Sequence, residues 1–193
     1  MKACGKSTVG KLLAKRLDVN FIELDQEIEK DYLMEKKPTF VPLSGTTVGK
    51  EKLTFREIFK KYGENYFRQL ESRVLENISK KKITGRIVLS CGGGTPLNEN
   101  NQKIIKELGE VIFLDVDKMV LLPRILKHGI PAFFPYKDNP EKSLGELIEK
   151  RKPIYEKIAD KIITFDNESP KELVEKIISF FHVIPVKTGI QIK

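Results

Sequence analysis

Apolar residues recur along the chain in two alternating rhythms. Short apolar-rich runs read as strands at residues 20–24 (NFIEL), 86–91 (RIVLSC), 110–116 (EVIFLDV) and 160–165 (DKIITF). The run at 86–91 reads as a buried strand leading into three glycines. Between the strands, apolar positions spaced three and four apart read as helices. The first covers 7–17, with Val9, Leu12, Leu13 and Leu17 on one face. Others follow at 25–32, at 54–62 and 64–80 on either side of Gly63, and at 98–108, 117–126, 143–158 and 170–181. Asp25 and Asn98 stand at N-cap positions, Gly109 ends a helix, and Pro153 is expected to interrupt the helix that contains it. Strands alternating with helices predict an α/β fold built on a mainly parallel sheet.

Three segments break the rhythm. Residues 33–52 hold Pro38, Pro42, Gly45 and Gly49 and read as an irregular insertion. Residues 127–141 hold Gly129, Pro131, Pro135 and Pro140 and read as a loop, a candidate lid. Residues 182–193 (HVIPVKTGIQIK) continue no helix and form a tail to which no role is assigned. Residues 1–181 then make a single domain, which suits a chain of 193 residues.

Composition narrows the function classes. The chain is 40% hydrophobic and 32% charged, as expected of a globular protein, and no apolar run approaches the roughly 18 residues of a membrane span. Two cysteines, Cys4 and Cys91, imply no disulfide framework and fit a reducing cytoplasm. The net charge of +8 comes from lysines scattered among glutamates, and the longest basic run is Lys80-Lys81-Lys82. That pattern fits a solvated surface and an anionic substrate better than nucleic acid. No basic stretch is interleaved with aromatics. His128 and His182 have no ligand spacing for a transition metal.

The first ten residues carry the candidate chemistry. Gly5-Lys6-Ser7-Thr8 completes the pattern G-x-x-x-x-G-K-[ST] except for its first glycine, which would stand one position before Met1. A helix starting here would aim N–H groups and the positive end of its dipole at polyphosphate. Ala3, Cys4, Gly5, Lys6, Ser7 and Thr8 are the candidate nucleotide-binding residues, with Lys6 reaching the terminal phosphates and Ser7 ligating Mg²⁺. A chance G-K-S-T before an ordinary surface helix is the competing reading. Cys4, near a helix N-terminus and Lys6, is either a thiol of lowered pKa or an inert small side chain.

Four further patterns follow in order: Phe21-Ile22-Glu23-Leu24-Asp25, Phe67-Arg68-Gln69-Leu70-Glu71, Cys91-Gly92-Gly93-Gly94-Thr95 and Arg151-Lys152-Pro153-Ile154-Tyr155. Each has a plain structural reading: a capping Asp, a surface ion pair one helical turn apart, a tight turn, and an exposed Arg on a charged helix. Three glycines in a row are costly for a mere turn. Taken together with the loop, the patterns resemble the shikimate kinase family, small ATP-dependent P-loop kinases of aromatic amino-acid biosynthesis. The resemblance covers residues 1 to about 181.

The resemblance implies a three-layer P-loop kinase fold with strand order 2-3-1-4-5 and transfer of the ATP γ-phosphate to the 3-hydroxyl of shikimate. It implies that Asp25 orients the acceptor hydroxyl and takes its proton, and that Glu23, where the family usually has Asp, holds Mg²⁺ through water. Arg68 and Arg151 grip the substrate carboxylate, Glu71 holds Arg68, and Gly92, Gly93 and Gly94 face the ring. Arg124 and Pro170 flank adenine, and residues 33–80 form the substrate-binding region. The cofactors implied are ATP and Mg²⁺, the partner a small molecule, and the working form a monomer in the cytoplasm, with no nucleic acid or membrane involved.

Two departures follow. In the lid, Ile130 stands where the family carries an Arg, so Lys127 or Arg124 would have to supply that charge. In the sheet, the residues before the phosphate loop are too few for the family's central strand. The expectation is a gap between the strands at 86–91 and 110–116, with unpaired edges, and a chain that is truncated or folds poorly. Alternative readings are a P-loop kinase for another small carboxylated polyol such as a sugar acid of the gluconate type, a binding protein without catalysis, and a nucleic-acid module.

Overall fold

The computed structural model describes residues 4–35, 52–81, 83–127 and 129–182. The elements run α1 (Lys6–Leu17), β1 (Asn20–Glu23), α2 (Leu24–Glu35), α3 (Phe55–Lys80), β2 (Ile87–Ser90), a 3-10 turn (Thr95–Leu97), α4 (Glu99–Leu108), β3 (Ile112–Val116), α5 (Lys118–Leu126), α6 (Pro140–Ile158), β4 (Lys161–Phe165) and α7 (Pro170–His182). No described helix is long and apolar enough to cross a membrane.

A helix separates successive strands, so neighbours can pair in parallel. β1 pairs with β2, Asn20 opposite Ile87 and Glu23 opposite Ser90. β3 pairs with β4, Ile112 opposite Lys161 and Val116 opposite Phe165. Among the described residues no strand joins β2 to β3. These are the two outer pairs of the expected order, with the expected interval between them.

That interval corrects the reading of 86–91 as a buried strand. Ile87, Val88 and Leu89 are only partly buried, and Ser90 alone is fully so. A strand with a neighbour on one side keeps part of its other edge uncovered.

Alternation along β2 still serves two cores. Val88 packs toward a cluster built from Val9 and Leu13 of α1, Leu114 and Val116 of β3, Ile163 and Phe165 of β4, and Leu173 and Ile177 of α7. Leu89 packs toward a second cluster from Leu24 and Ile28 of α2 and Phe67, Leu70, Val74 and Leu75 of α3. On the first face Gly10 lets α1 lie directly on β1, since a Cβ there would meet the Phe21 ring at 2.8 Å. On the second, Arg73 of α3 binds both Asp31 and Glu35 of α2.

Several boundaries differ from the sequence reading. Leu24 opens α2 directly after β1, so Asp25 lies inside the first helical turn and does not cap it. α2 runs on to Glu35, held by Arg73 and Tyr66, so residues 33–35 belong to the helix. The remainder of the expected insertion, 36–51, lies outside the described residues. Thr54 closes a capping box with Glu57 at the start of α3. Gly63, at φ 81 and ψ 176, is non-helical and separates two helical stretches of α3 at the expected break.

α6 begins at Pro140 behind the cap Asn139, so the helix takes the last residues of the expected lid. Pro153 does not interrupt α6. Buried Tyr155 and Ile158 tie the final turns to the core and offset the hydrogen bond the proline removes.

Candidate active site

The site grows from the start of α1. Gly5 takes the left-handed conformation at φ 86, which turns the chain into the helix, and its carbonyl accepts the first helical bond from the Val9 N–H at 2.9 Å. The first N–H groups of α1 have no acceptor within the helix, and no acidic residue of the first turn neutralises them. Lys6, Ser7 and Thr8 follow on that turn, while Ala3 lies outside the described residues. Cys4 is buried, 2% exposed, in the core beside Val9 and Leu13, where it serves as a small apolar side chain.

The end of β1 brings acids to this turn. The Ser7 hydroxyl donates to Glu23 Oε1, and Lys11 Nζ stands 4.0 Å from the other Glu23 oxygen. Two residues on, the carboxyl of Asp25 titrates above its ordinary range. Withdrawal from water is the largest cause; Lys6 opposes it, and Glu71, Glu23 and Glu29 reinforce it. Lys6 and Asp25 therefore act on one another across the crevice.

The far wall comes from α3 and the glycine run. Glu71 is 1% exposed on α3, one helical turn beyond Arg68. Its Oε2 accepts from Arg68 Nη1 at 2.7 Å, and its Oε1 accepts from the Thr95 hydroxyl at 2.7 Å. The Arg68–Glu71 pair is thus a half-buried bridge facing the glycine run, and the surface pairing is the weaker contact to Glu64 at 3.5 Å. A Cβ on Gly94 would meet the Arg68 guanidinium at 2.3 Å, and one on Gly92 would meet Glu71 Oε1 at 3.0 Å and Asp25 Oδ1 at 3.3 Å. A side chain at either position would have to displace these groups, so the glycines allow the close approach of Arg68, Glu71 and Asp25 to the run. The adjoining Cys91 thiol is pushed up to about 12, first by desolvation, then by Glu71.

α6 closes the wall. The Tyr155 hydroxyl donates to the Gly93 carbonyl. Burial raises the Tyr155 pKa, and the cations of Arg151 and Arg68 oppose that rise. Both arginines therefore lie near one phenol at the glycine run. Arg151 also sits over the Phe133 ring at 5.5 Å, which links it to the loop before α6.

The remaining candidates are placed around this centre. Arg124 on α5 reaches the Asp166 carbonyl at 3.5 Å, in the turn that leads to Pro170, the exposed first residue of α7. Ile130 is 45% exposed, and Lys127 ends α5 with an exposed side chain. The loop is pinned at its far end, where Ser143 exchanges hydrogen bonds with the backbone of Tyr136. His128 lies outside the described residues. Two cavities, of about 250 and 630 Å³, lie toward the opposite ends of β1 and β2 and touch none of these residues.

Sequence reasoning assigned no role to Thr95 and Tyr155, although both stand in the quoted patterns. A hydroxyl directly after three glycines, or two residues beyond Pro153, was the available signal. Their partners, Glu71 and Gly93, are 24 and 62 positions away.

Comparisons with known proteins show what this chain is similar to. A family model described as shikimate kinase matches residues 2–45 and 46–182. The chain is 36% identical over 174 residues to a shikimate kinase of Thermodesulfovibrio yellowstonii, covering 90% of this chain and 87% of that one. Its structure is similar to that of a shikimate kinase from Acinetobacter baumannii in complex with shikimate, with TM-score 0.78, 28% identity, and coverage of 96% of this chain and 90% of that one. A shikimate kinase from Aquifex aeolicus matches with TM-score 0.67 and 30% identity, covering 95% and 92%.

Proposed function

The chain belongs to the shikimate kinase family, and we propose the division of labour by which its residues move the γ-phosphate of ATP to the 3-hydroxyl of shikimate. The enzyme is an ATP-dependent kinase of aromatic amino-acid biosynthesis. One observation carries the assignment of its site. Arg68, Arg151 and the glycine run meet at one wall, and Asp25, in the first turn of α2, lies within electrostatic reach of Lys6.

On the donor side, the N–H groups of the turn at Gly5 and Lys6 cradle the phosphates, and Thr8 and Cys4 complete the loop. Lys6 is the cation that follows the transferred charge. Arg124 and Pro170 hold adenine; the contact from Arg124 to the turn before Pro170 supports that pairing.

The residues present fit Mg²⁺, which takes oxygen ligands and keeps several waters. Ser7 donates its proton to Glu23, which leaves its oxygen lone pairs free. Ser90 Oγ, buried and without a hydrogen-bond partner among the described residues, stands opposite Glu23 in the register. Ser7 would ligate the ion, and Glu23 would act through a water. When bound there, the ion would supply charge neutralisation to the transferred phosphate.

On the acceptor side, Arg68 and Arg151 bind the shikimate carboxylate, a planar anion that suits their forked donors. The glycine run 92–94 lets backbone approach the ring. Asp25 accepts the proton of the attacking hydroxyl. Its raised pKa makes it a better base than an exposed carboxylate, and Lys6 opposes that rise. Most of the rate gain comes from positioning and charge neutralisation.

An assay of ADP release with shikimate tests the assignment. Turnover with shikimate and none with gluconate is expected. Turnover with gluconate alone would move the site to another carboxylated polyol.

A further inference from the structure

We propose that Thr95 is a positioning residue, whose hydroxyl fixes the acceptor-gripping Arg68 through the buried carboxylate of Glu71. The proposal rests on the acceptor-site reading given above.

Glu71 carries two duties on two oxygens. Oε2 receives Arg68 and Oε1 receives Thr95, each at 2.7 Å. The terminal torsion of a glutamate is broad and roughly two-fold, so a carboxylate bound at one oxygen still turns, whereas one bound at both does not. Arg68 hangs on this carboxylate and is itself 26% exposed. Among the described residues its fork has no comparably short second anchor, since Glu64 stands 3.5 Å away on an exposed side chain.

Thr95 is well placed to be the fixed end of the chain of contacts. It is 0% exposed. Its N–H donates to the Gly92 carbonyl at 3.2 Å, and its own carbonyl accepts from Asn101 Nδ2 at 3.1 Å. It also follows the glycine run directly. One hydroxyl thus ties the arginine to the backbone that faces the substrate ring, so the carboxylate grip and the ring floor keep a constant relation.

The same hydroxyl separates two acids. Glu71 Oε1 and Asp25 Oδ1 both border the space of the missing Gly92 side chain. Thr95 places a proton on that Glu71 oxygen. Without it, a buried Glu71 oxygen is left unpaired beside a second carboxylate, at the cost of an unsatisfied buried acceptor. The charged groups that act on Asp25 are Lys6, Glu71, Glu23 and Glu29, and Arg68 faces Glu71 from its own helix.

The test compares Thr95→Ser with Thr95→Ala, which differ by one hydroxyl, and adds Thr95→Val, which keeps the branched shape. Thr95→Ala and Thr95→Val should raise KM for shikimate about 10-fold or more, the range of a hydrogen bond to a charged group, and leave KM for ATP within about two-fold. Thr95→Ser should restore the shikimate KM. Equal kinetics for the Ser and Ala variants would overturn the proposal, as would equal losses in KM for both substrates. A wild-type chain that turns over no shikimate would instead count against the reading of the site. Calorimetric binding of shikimate to the Ser and Ala variants would then still decide whether the hydroxyl sets Arg68, and equal affinities would refute it.

Discussion

The guanidinium of Arg68 occupies the space a side chain on Gly94 would need. A Cβ there would meet Nη1 and Nη2 at 2.3 Å. Gly94→Ala should therefore displace the arginine without altering either residue's charge. KM for shikimate should rise about 10-fold, with kcat for bound substrate less affected, because a bidentate grip on a carboxylate depends on the fork's position. Steady-state kinetics at saturating ATP measure this. An unchanged KM would mean that Arg68 does not grip the acceptor.

Asp25 should trade stability for activity. An acid whose folded-state pKa lies above its unfolded value binds its proton more tightly when folded. Its ionised form therefore costs stability above that folded pKa, and the cost is relieved as pH falls through it. Asp25→Asn removes a desolvated charge from beside Glu71 and Glu23. At pH 7 the variant should melt a few degrees higher, on the order of 1 kcal/mol, while kcat falls by about 100-fold or more. A lower melting temperature at pH 7 together with undiminished turnover would contradict both roles.

The wild-type pH profile follows from the same shift. Because the active form is the carboxylate, kcat/KM should fall toward acid through a pKa above the ordinary value of 3.8. Lys6→Met removes the nearby cation that lowers this pKa and should move the limb further up in whatever activity remains. A limb that stays in place would show that Lys6 does not act on Asp25.

Glu23 receives the Ser7 hydroxyl and stands opposite the unpaired Ser90. Glu23→Gln should raise the Mg²⁺ concentration for half-maximal activity about 10-fold, the usual cost of losing an outer partner of a metal ligand, and leave KM for shikimate nearly unchanged. A Mg²⁺ titration at fixed ATP reads this directly. Equal Mg²⁺ dependence in the two proteins would remove Glu23 from the metal's surroundings.

Gly10 tests the scaffold. A Cβ at this position would meet the Phe21 ring at 2.8 Å and Val88 at 3.6 Å, on the face where α1 lies on β1 and β2. Gly10→Ala gains helix propensity but must push α1 off the sheet, a net loss of about 1–3 kcal/mol. The melting temperature should drop by roughly 2–4 °C for each kcal/mol in a domain of this size. A stabilised variant would show that the contact relaxes freely.

The order and type of the elements were legible because helix and strand periods survive in local sequence, as in Val9, Leu12 and Leu13 or in the run 112–116. Boundaries were less so. Nothing local distinguishes Leu24 as the last strand residue from Leu24 as the first helical one. The choice falls to its burial against α3, and that choice moves Asp25 from a cap into the helix. Pro153 has the local signature of a break, but buried Tyr155 and Ile158 hold the helix together beyond it. The half-buried β2 reflects what stands beside the strand, which its own apolar run cannot report.

By itself the sequence determined the α/β alternation and the motifs from which the phosphate-binding turn at Gly5, Lys6 and Ser7 and the acceptor site are proposed, because these depend on residue type at short spacing. Only the tertiary structure decided that the Glu71 oxygen not used by Arg68 serves Thr95, and that Tyr155 ties α6 to Gly93. The Glu71–Thr95 and Tyr155–Gly93 contacts join residues 24 and 62 positions apart. They are fixed by packing in three dimensions and have no expression in a local pattern.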